Sequence, residues 1–153
     1  MDKIQERLER GYRALAGAMH KKSESEYRLR MVYENLDDLL HDIEGQEQSV
    51  KRFEAEYDMF VAKDGLTRSN LIEGLTLKYR LDRAINDLET LKAQYRFNMK
   101  DKNELISEIT DLRIAIDALQ NWVDYTVDSI NNGGALEQQL KEELDIHASK
   151  GLH

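Results

Sequence analysis

The chain has 153 residues, of which 34% are charged and 7% aromatic, with a mean hydropathy of -0.69; this suits a single domain but excludes a thick globular core. A net charge of -8 argues against a phosphate-tracking surface, which needs clustered Lys and Arg. The absence of cysteine removes disulfides, thiolate nucleophiles and Cys-ligated metal.

The segment Met1 to Arg7 has no continuous apolar run, and no stretch approaches the ~20 apolar residues of a membrane span. The expectation is a soluble, unprocessed protein, cytoplasmic or carried within a virion.

With Met1 at position a of a heptad, residues 1–62 place Leu8, Leu15, Leu29, Leu36, Ile43, Val50 and Tyr57 at a, and Ile4, Ala18, Val32, Leu39, Phe53 and Phe60 at d. Fourteen of the eighteen a and d positions are apolar, against about seven expected from 41% apolar composition. The turn is placed at 63–66, where Gly65 suits the left-handed residue that ends a helix. Thr67 suits the N-cap of the next helix, and Leu66 is positioned to staple against Leu71.

A second helix over 67–131 carries Leu81, Leu88, Tyr95, Ile109, Ile116, Val123 and Ile130 at a, and Leu77, Ala84, Leu91, Leu105, Leu112 and Leu119 at d. Folding the two arms antiparallel sets residue i near residue 131-i, so Leu36 faces Tyr95, Ile43 faces Leu88, Val50 faces Leu81 and Leu15 faces Ile116. The same folding lays the basic segment 1–22 (six Lys/Arg, three Asp/Glu) beside 108–130 (one Arg, five Asp/Glu). It also lays the acidic segment 23–62 (four against eleven) beside 68–105 (eight against six). Opposite charge meets in both halves, which favours antiparallel pairing.

Residues 1–131 thus read as a helical hairpin, a rod of roughly 90 Å at 1.5 Å per residue. Residues 132–153 read as a Gly-Asn break, a short helix and a frayed tail, with Leu136, Leu140 and Leu144 as a candidate docking stripe. The predicted fold class is all-α: a long antiparallel two-helix coiled-coil hairpin plus a short C-terminal amphipathic helix.

The candidate interaction surface lies in the e rows. They carry Tyr12, Met19, Tyr33, Leu40 and Val61 in the first helix and Leu71, Ile85, Met99, Ile106 and Val127 in the second. In an antiparallel pair the two e rows share one flank, whereas the g rows are mostly polar. An apolar stripe of this length exceeds what a monomer ordinarily leaves exposed, so a second copy or a partner helix is expected on it, the alternative being that the helices rotate until a, d and e all tuck partly inward and the third helix covers the remainder. Within the seam, Lys22, Ser25, Asn98 and Lys102 form a polar interval, with Gln46 nearer the turn. The lysines are expected to snorkel, and Asn98 is the candidate for fixing register. Gly11, Ala14, Gly17 and Ala18 make a small-residue patch that either admits close helix approach or lets the helix fray. Trp122 and Tyr125 either anchor a partner, as large aromatics at hot spots do, or pack under the third helix, and the second is expected.

No catalytic residue, cofactor or metal site is predicted. His20, His41, His147 and His153 lie in no HExxH setting; Asp38 and His41, one turn apart, read as a solvated face, and the Arg13–His20 spacing as chance. Gly133-Gly134 lacks the Lys and Ser/Thr of a phosphate loop.

The architecture is similar, at fold level alone, to that of the soluble stalk proteins of flagellar and type III export and of membrane-remodelling hairpins. No motif residues are shared, so no residue roles follow. The leading expectation is a non-enzymatic assembly or adaptor protein, a virion assembly component or a secretion-type chaperone or stalk, with itself and another protein as partners and with nucleic acid and membrane disfavoured. The alternatives are an acidic inhibitor of a nucleic-acid-processing or host-defence enzyme, and a hairpin that remodels membrane surfaces.

Overall fold

The computed structural model describes residues 2–132, apart from the side chains of residues 2 and 64. Two helices make up nearly all of this: α1, Asp2–Asp64, and α2, Leu71–Asn131, folded against each other as a hairpin with no strand among the described residues. The expected C-terminal helix with Leu136, Leu140 and Leu144 lies outside the described residues, as do Met1, His147 and His153. No described helix is long and apolar enough to cross a membrane.

The heptad explains what is covered. Every a and d position of α1 from Ile4 to Phe60 is buried or half-buried, including Lys22 and Gln46. In α2 the same holds from Gly74 to Thr126, but Ile130, also at a, is exposed. With no proline to interrupt it and a leucine, isoleucine or valine on the seam at most turns, the helical ladder runs unbroken through both arms.

Packing divides the chain into two units, Arg30–Asn103 and Met1–Leu29 with Glu104–His153. In the first, Leu36, Ile43, Leu81, Ala84 and Leu88 form the buried seam. Contacts across it fix the register: Gln46 Nε2 donates to the Ala84 carbonyl at 3.0 Å, and the Arg80 guanidinium lies 5.6 Å from the Phe53 ring centroid. The 131-i rule pairs Gln46 with residue 85 and Phe53 with residue 78, so pairing falls within two residues of expectation at both layers. Arg80 also approaches Glu56 at 3.9 Å, an exposed ion pair too loose to contribute much stability.

In the second unit, Leu15, Leu105, Ile109, Leu119, Trp122 and Val123 are buried. Trp122 and Val123 form a cluster against which Ile4, Leu8 and Val127 pack. Trp122 thus packs against α1 at Ile4 and Leu8, and the third helix expected over it lies outside the described residues. Trp122 belongs to the g row, which was expected to be wet, yet it is only 4% exposed, and Ser129 of the same row is buried too. The cause is Gly11: a Cβ there would overlap Cζ3 of the indole and stand 2.9 Å from Cε3, so only a glycine admits the ring against α1. Of the two expectations for the small-residue patch, close approach holds at Gly11, whereas Gly17 faces open space. Widening the buried stripe to 119, 122, 123, 126 and 129 turns Ile130 outward.

The connector differs in detail from the expected 63–66. Helix α1 continues to Asp64, and Gly65 closes it at φ 64°, its N–H donating to the Val61 carbonyl at 2.9 Å. Helix α2 begins at Leu71 rather than Thr67, because Asn70 takes the N-cap position. The Asn70 carbonyl accepts the Gly74 N–H at 2.9 Å. Its side chain meanwhile ties the loop together: Oδ1 accepts from the Thr67 N–H at 2.7 Å and from the Thr67 hydroxyl at 2.9 Å, and Nδ2 donates to the Gly65 carbonyl at 2.8 Å. Leu66 points at Gly74, where a Cβ would come 2.5 Å from its Cδ2, and Leu66 and Leu71 are both exposed. Asn70→Ala removes three hydrogen bonds around a helix start and is expected to cost about 1 kcal/mol, read as a lower urea midpoint at unchanged slope.

Candidate interaction surfaces

The e rows follow from the heptad geometry: once a and d close the seam, e lies at its margin on one side and g on the other. In the Arg30–Asn103 unit, Tyr33, Leu40, Val61, Leu71 and Ile85 are exposed, and Met99 is half-buried. In the other unit, Tyr12, Met19 and Ile106 are exposed, and Val127 is half-buried against Trp122 and Val123. Two of the ten candidates, Met99 and Val127, thus already lean on their own unit.

Apart from Ile130 at a, the remaining exposed large apolar side chains lie outside the a, d and e rows, where heptad reasoning assigns no role. Six exposed ones, counting Val61 and Leu71, fall within residues 59–75 at the closed end of the hairpin: Met59, Val61, Leu66, Leu71, Ile72 and Leu75. Ile72 is 83% exposed. The reason is geometric. At a turn the two helices have no further layer to pack on, so residues at b, c and f have no neighbour even when they are apolar. Composition alone does not single this stretch out, since eight of residues 59–75 are apolar against 41% for the chain; the signal is apolar residues at b, c and f, Leu75, Met59 and Ile72, flanking the predicted turn.

On the opposite, g-side flank of this end an open groove of about 650 Å³ is lined by Glu56, Met59, Phe60, Ala62, Lys63 and Leu77. A second groove, about 390 Å³, runs along the g side of the same unit past Phe53, Tyr79, Arg80, Arg83 and Asp87. The guanidinium of Arg52 sits 5.0 Å from the Phe53 centroid and that of Arg80 sits 5.6 Å from it, while Lys78 lies 5.5 Å from the Tyr57 ring. These cations are engaged with aromatic faces of their own hairpin, worth about 0.5–1 kcal/mol each at exposed sites.

The polar interval distributes differently from expectation. Asn98 Nδ2 donates to the Gln94 carbonyl of its own helix at 2.9 Å, so it does not bridge the seam; the residue that does is Gln46. Lys22 reaches out to Glu26 at 3.3 Å, as a snorkelling lysine does. Ser25 is buried, and Thr126, fully buried, donates its hydroxyl to the Trp122 carbonyl at 2.7 Å.

The titratable groups singled out from the sequence do not converge among the described residues. Asp38 and His41 are exposed, Arg13 is exposed, and His20 pairs with Glu24 at 3.0 Å on the surface. Among the described residues no group of three His, Asp or Glu is placed to hold a metal ion. Comparison with protein-family models, with curated proteins and with solved structures gives no match to this chain.

Proposed function

We propose that this chain is a non-enzymatic assembly or adaptor component, a helical hairpin that associates with a second copy of itself and holds a protein partner through its e-row flank. The reading rests on one observation: a seam satisfied by a and d positions coexists with an e row whose Tyr12, Met19, Tyr33, Leu40, Ile85 and Ile106 stay exposed. Side chains of this size lose water only against another surface, and burying a leucine or isoleucine fully is worth about 1.5–3 kcal/mol. Two long helices with an exposed apolar margin gain most by forming a four-helix arrangement, the geometry expected of virion assembly components and export chaperones or stalks.

Light scattering with circular dichroism tests this on the wild type and on Tyr33→Glu, Met99→Glu. The double variant is expected to fall to a lower mass at near-full helicity: residue 33 is exposed in the single hairpin and residue 99 half-buried at its margin, so most of the cost of the two carboxylates falls inside an assembly. An unchanged mass with full helicity would remove the flank from self-association.

A further inference from the structure

Beyond the flank, the structure carries a second surface, and we infer that the closed end of the hairpin is a docking site for the same end of a second copy. The inference stands independently of the e-row reading. Its first support is that Leu71, Leu75 and Ile72, at e, b and f, share one exposed face of α2, with Val61 at e of α1 on the same flank. Apolar side chains scattered singly need no explanation; a cluster sharing one face marks an interaction site.

The second support is charge, and it selects the occupant. The chain carries -8, so two copies repel each other wherever acidic surface meets acidic surface. Residues 34–54 of this unit hold seven acidic and two basic side chains. Residues 56–80 hold four of each sign, Lys63, Arg68, Lys78 and Arg80 against Glu56, Asp58, Asp64 and Glu73. The closed end is therefore an electroneutral apolar region on an acidic molecule, the place where like-charged copies approach at least electrostatic cost.

The same surface carries what an isologous contact requires, since each copy must offer both halves of every interaction. It has protruding apolar side chains at the e, b and f positions of one α2 face, Leu71, Leu75 and Ile72, which meet their own copies across a two-fold axis. It has cations and carboxylates interleaved along the chain. A lipid surface is the poorer occupant, because an interfacial segment draws its affinity from a Lys/Arg excess around the apolar face, and residues 56–80 have none.

The absence of cysteine makes the test clean. In the full chain, Ile72→Cys and Leu75→Cys are oxidised under mild conditions beside Gln48→Cys, an exposed position of the same unit. A disulfide-linked dimer is expected from Ile72→Cys or Leu75→Cys and not from Gln48→Cys. Independently, Ile72→Glu, Leu75→Glu is expected to raise the dissociation constant for self-association at least about tenfold in sedimentation equilibrium, with helicity intact.

Placing Ile72→Cys in the Tyr33→Glu, Met99→Glu background separates the two surfaces. Cross-linking that persists there shows that the closed end pairs without the flank. Cross-linking that vanishes there, fails in the native background or is matched by Gln48→Cys overturns the inference. So does an unchanged dissociation constant, or flotation with phosphatidylcholine–phosphatidylserine vesicles that Ile72→Glu, Leu75→Glu abolishes, which would assign the surface to a bilayer.

Discussion

Replacing Trp122 by alanine is expected to cost about 3–5 kcal/mol, the range for removing a large aromatic from a packed site. The indole is 4% exposed and lies over Gly11, with Ile4 and Leu8 on its cluster. In a two-helix pair each layer touches only its neighbours, so the loss should remain local. Amide exchange is expected to accelerate within residues 1–29 and 104–132 before it does elsewhere.

Gly11 gives the sharper form of this prediction, because two opposing effects differ in size. Glycine in a helix interior costs about 0.5–1 kcal/mol relative to alanine, so Gly17→Ala, with nothing within 4 Å of the added methyl, should stabilise by that amount. Gly11→Ala gains the same propensity but drives a methyl into the indole, and overpacking costs about 1–3 kcal/mol. A net loss is expected. In the Trp122→Ala background the methyl meets space and the sign should reverse, giving a coupling of about 2 kcal/mol in a double-mutant cycle measured by urea denaturation. Additivity within about 0.5 kcal/mol would show that the indole does not sit on Gly11.

These two residues also show what a period-seven reading can and cannot extract. The seam was legible because each layer repeats the same decision: Leu36, Ile43, Leu81 and Leu88 fall at a and are buried. Register followed from the short connector, and the Gln46–Ala84 hydrogen bond lies one residue from expectation. The Gly11–Trp122 lock was not legible: Trp122 departs from the polar g row and Gly11 from the apolar d row, but neither departure names the other, and the information is in a large side chain meeting an absent one across the seam. Asn70 was missed as the N-cap because Thr67 is as good a candidate by type, and the choice depends on which backbone group Gly65 leaves free. The apolar cluster at residues 59–75 escaped because its members lie at b, c and f as well as e, where period-seven bookkeeping expects solvent. Structural positions are thus encoded row by row, whereas the surfaces proposed for assembly are encoded by departures from the rows.

Leu36 and Leu40 put that distinction to a measurement. They are the same residue type one turn apart on α1, Leu36 at a and 5% exposed, Leu40 at e and 43% exposed. Leu36→Ala is expected to lose about 2–5 kcal/mol at every protein concentration, because the cavity opens inside the hairpin. Leu40→Ala in an isolated hairpin should lie within about 0.5 kcal/mol of wild type, as surface substitutions do. If copies bury the e row, the wild type gains about 1.4 kcal/mol for each tenfold rise in concentration above its dissociation constant, and a variant with a weaker contact begins to gain only at higher concentration. The deficit of Leu40→Ala should then widen over the range where wild type associates and Leu40→Ala does not, while that of Leu36→Ala stays level. Chemical denaturation across a hundredfold concentration series reads both at once. A Leu40→Ala deficit that stays small and constant would mean that this leucine faces water in the working protein, and the self-contact would have to lie elsewhere.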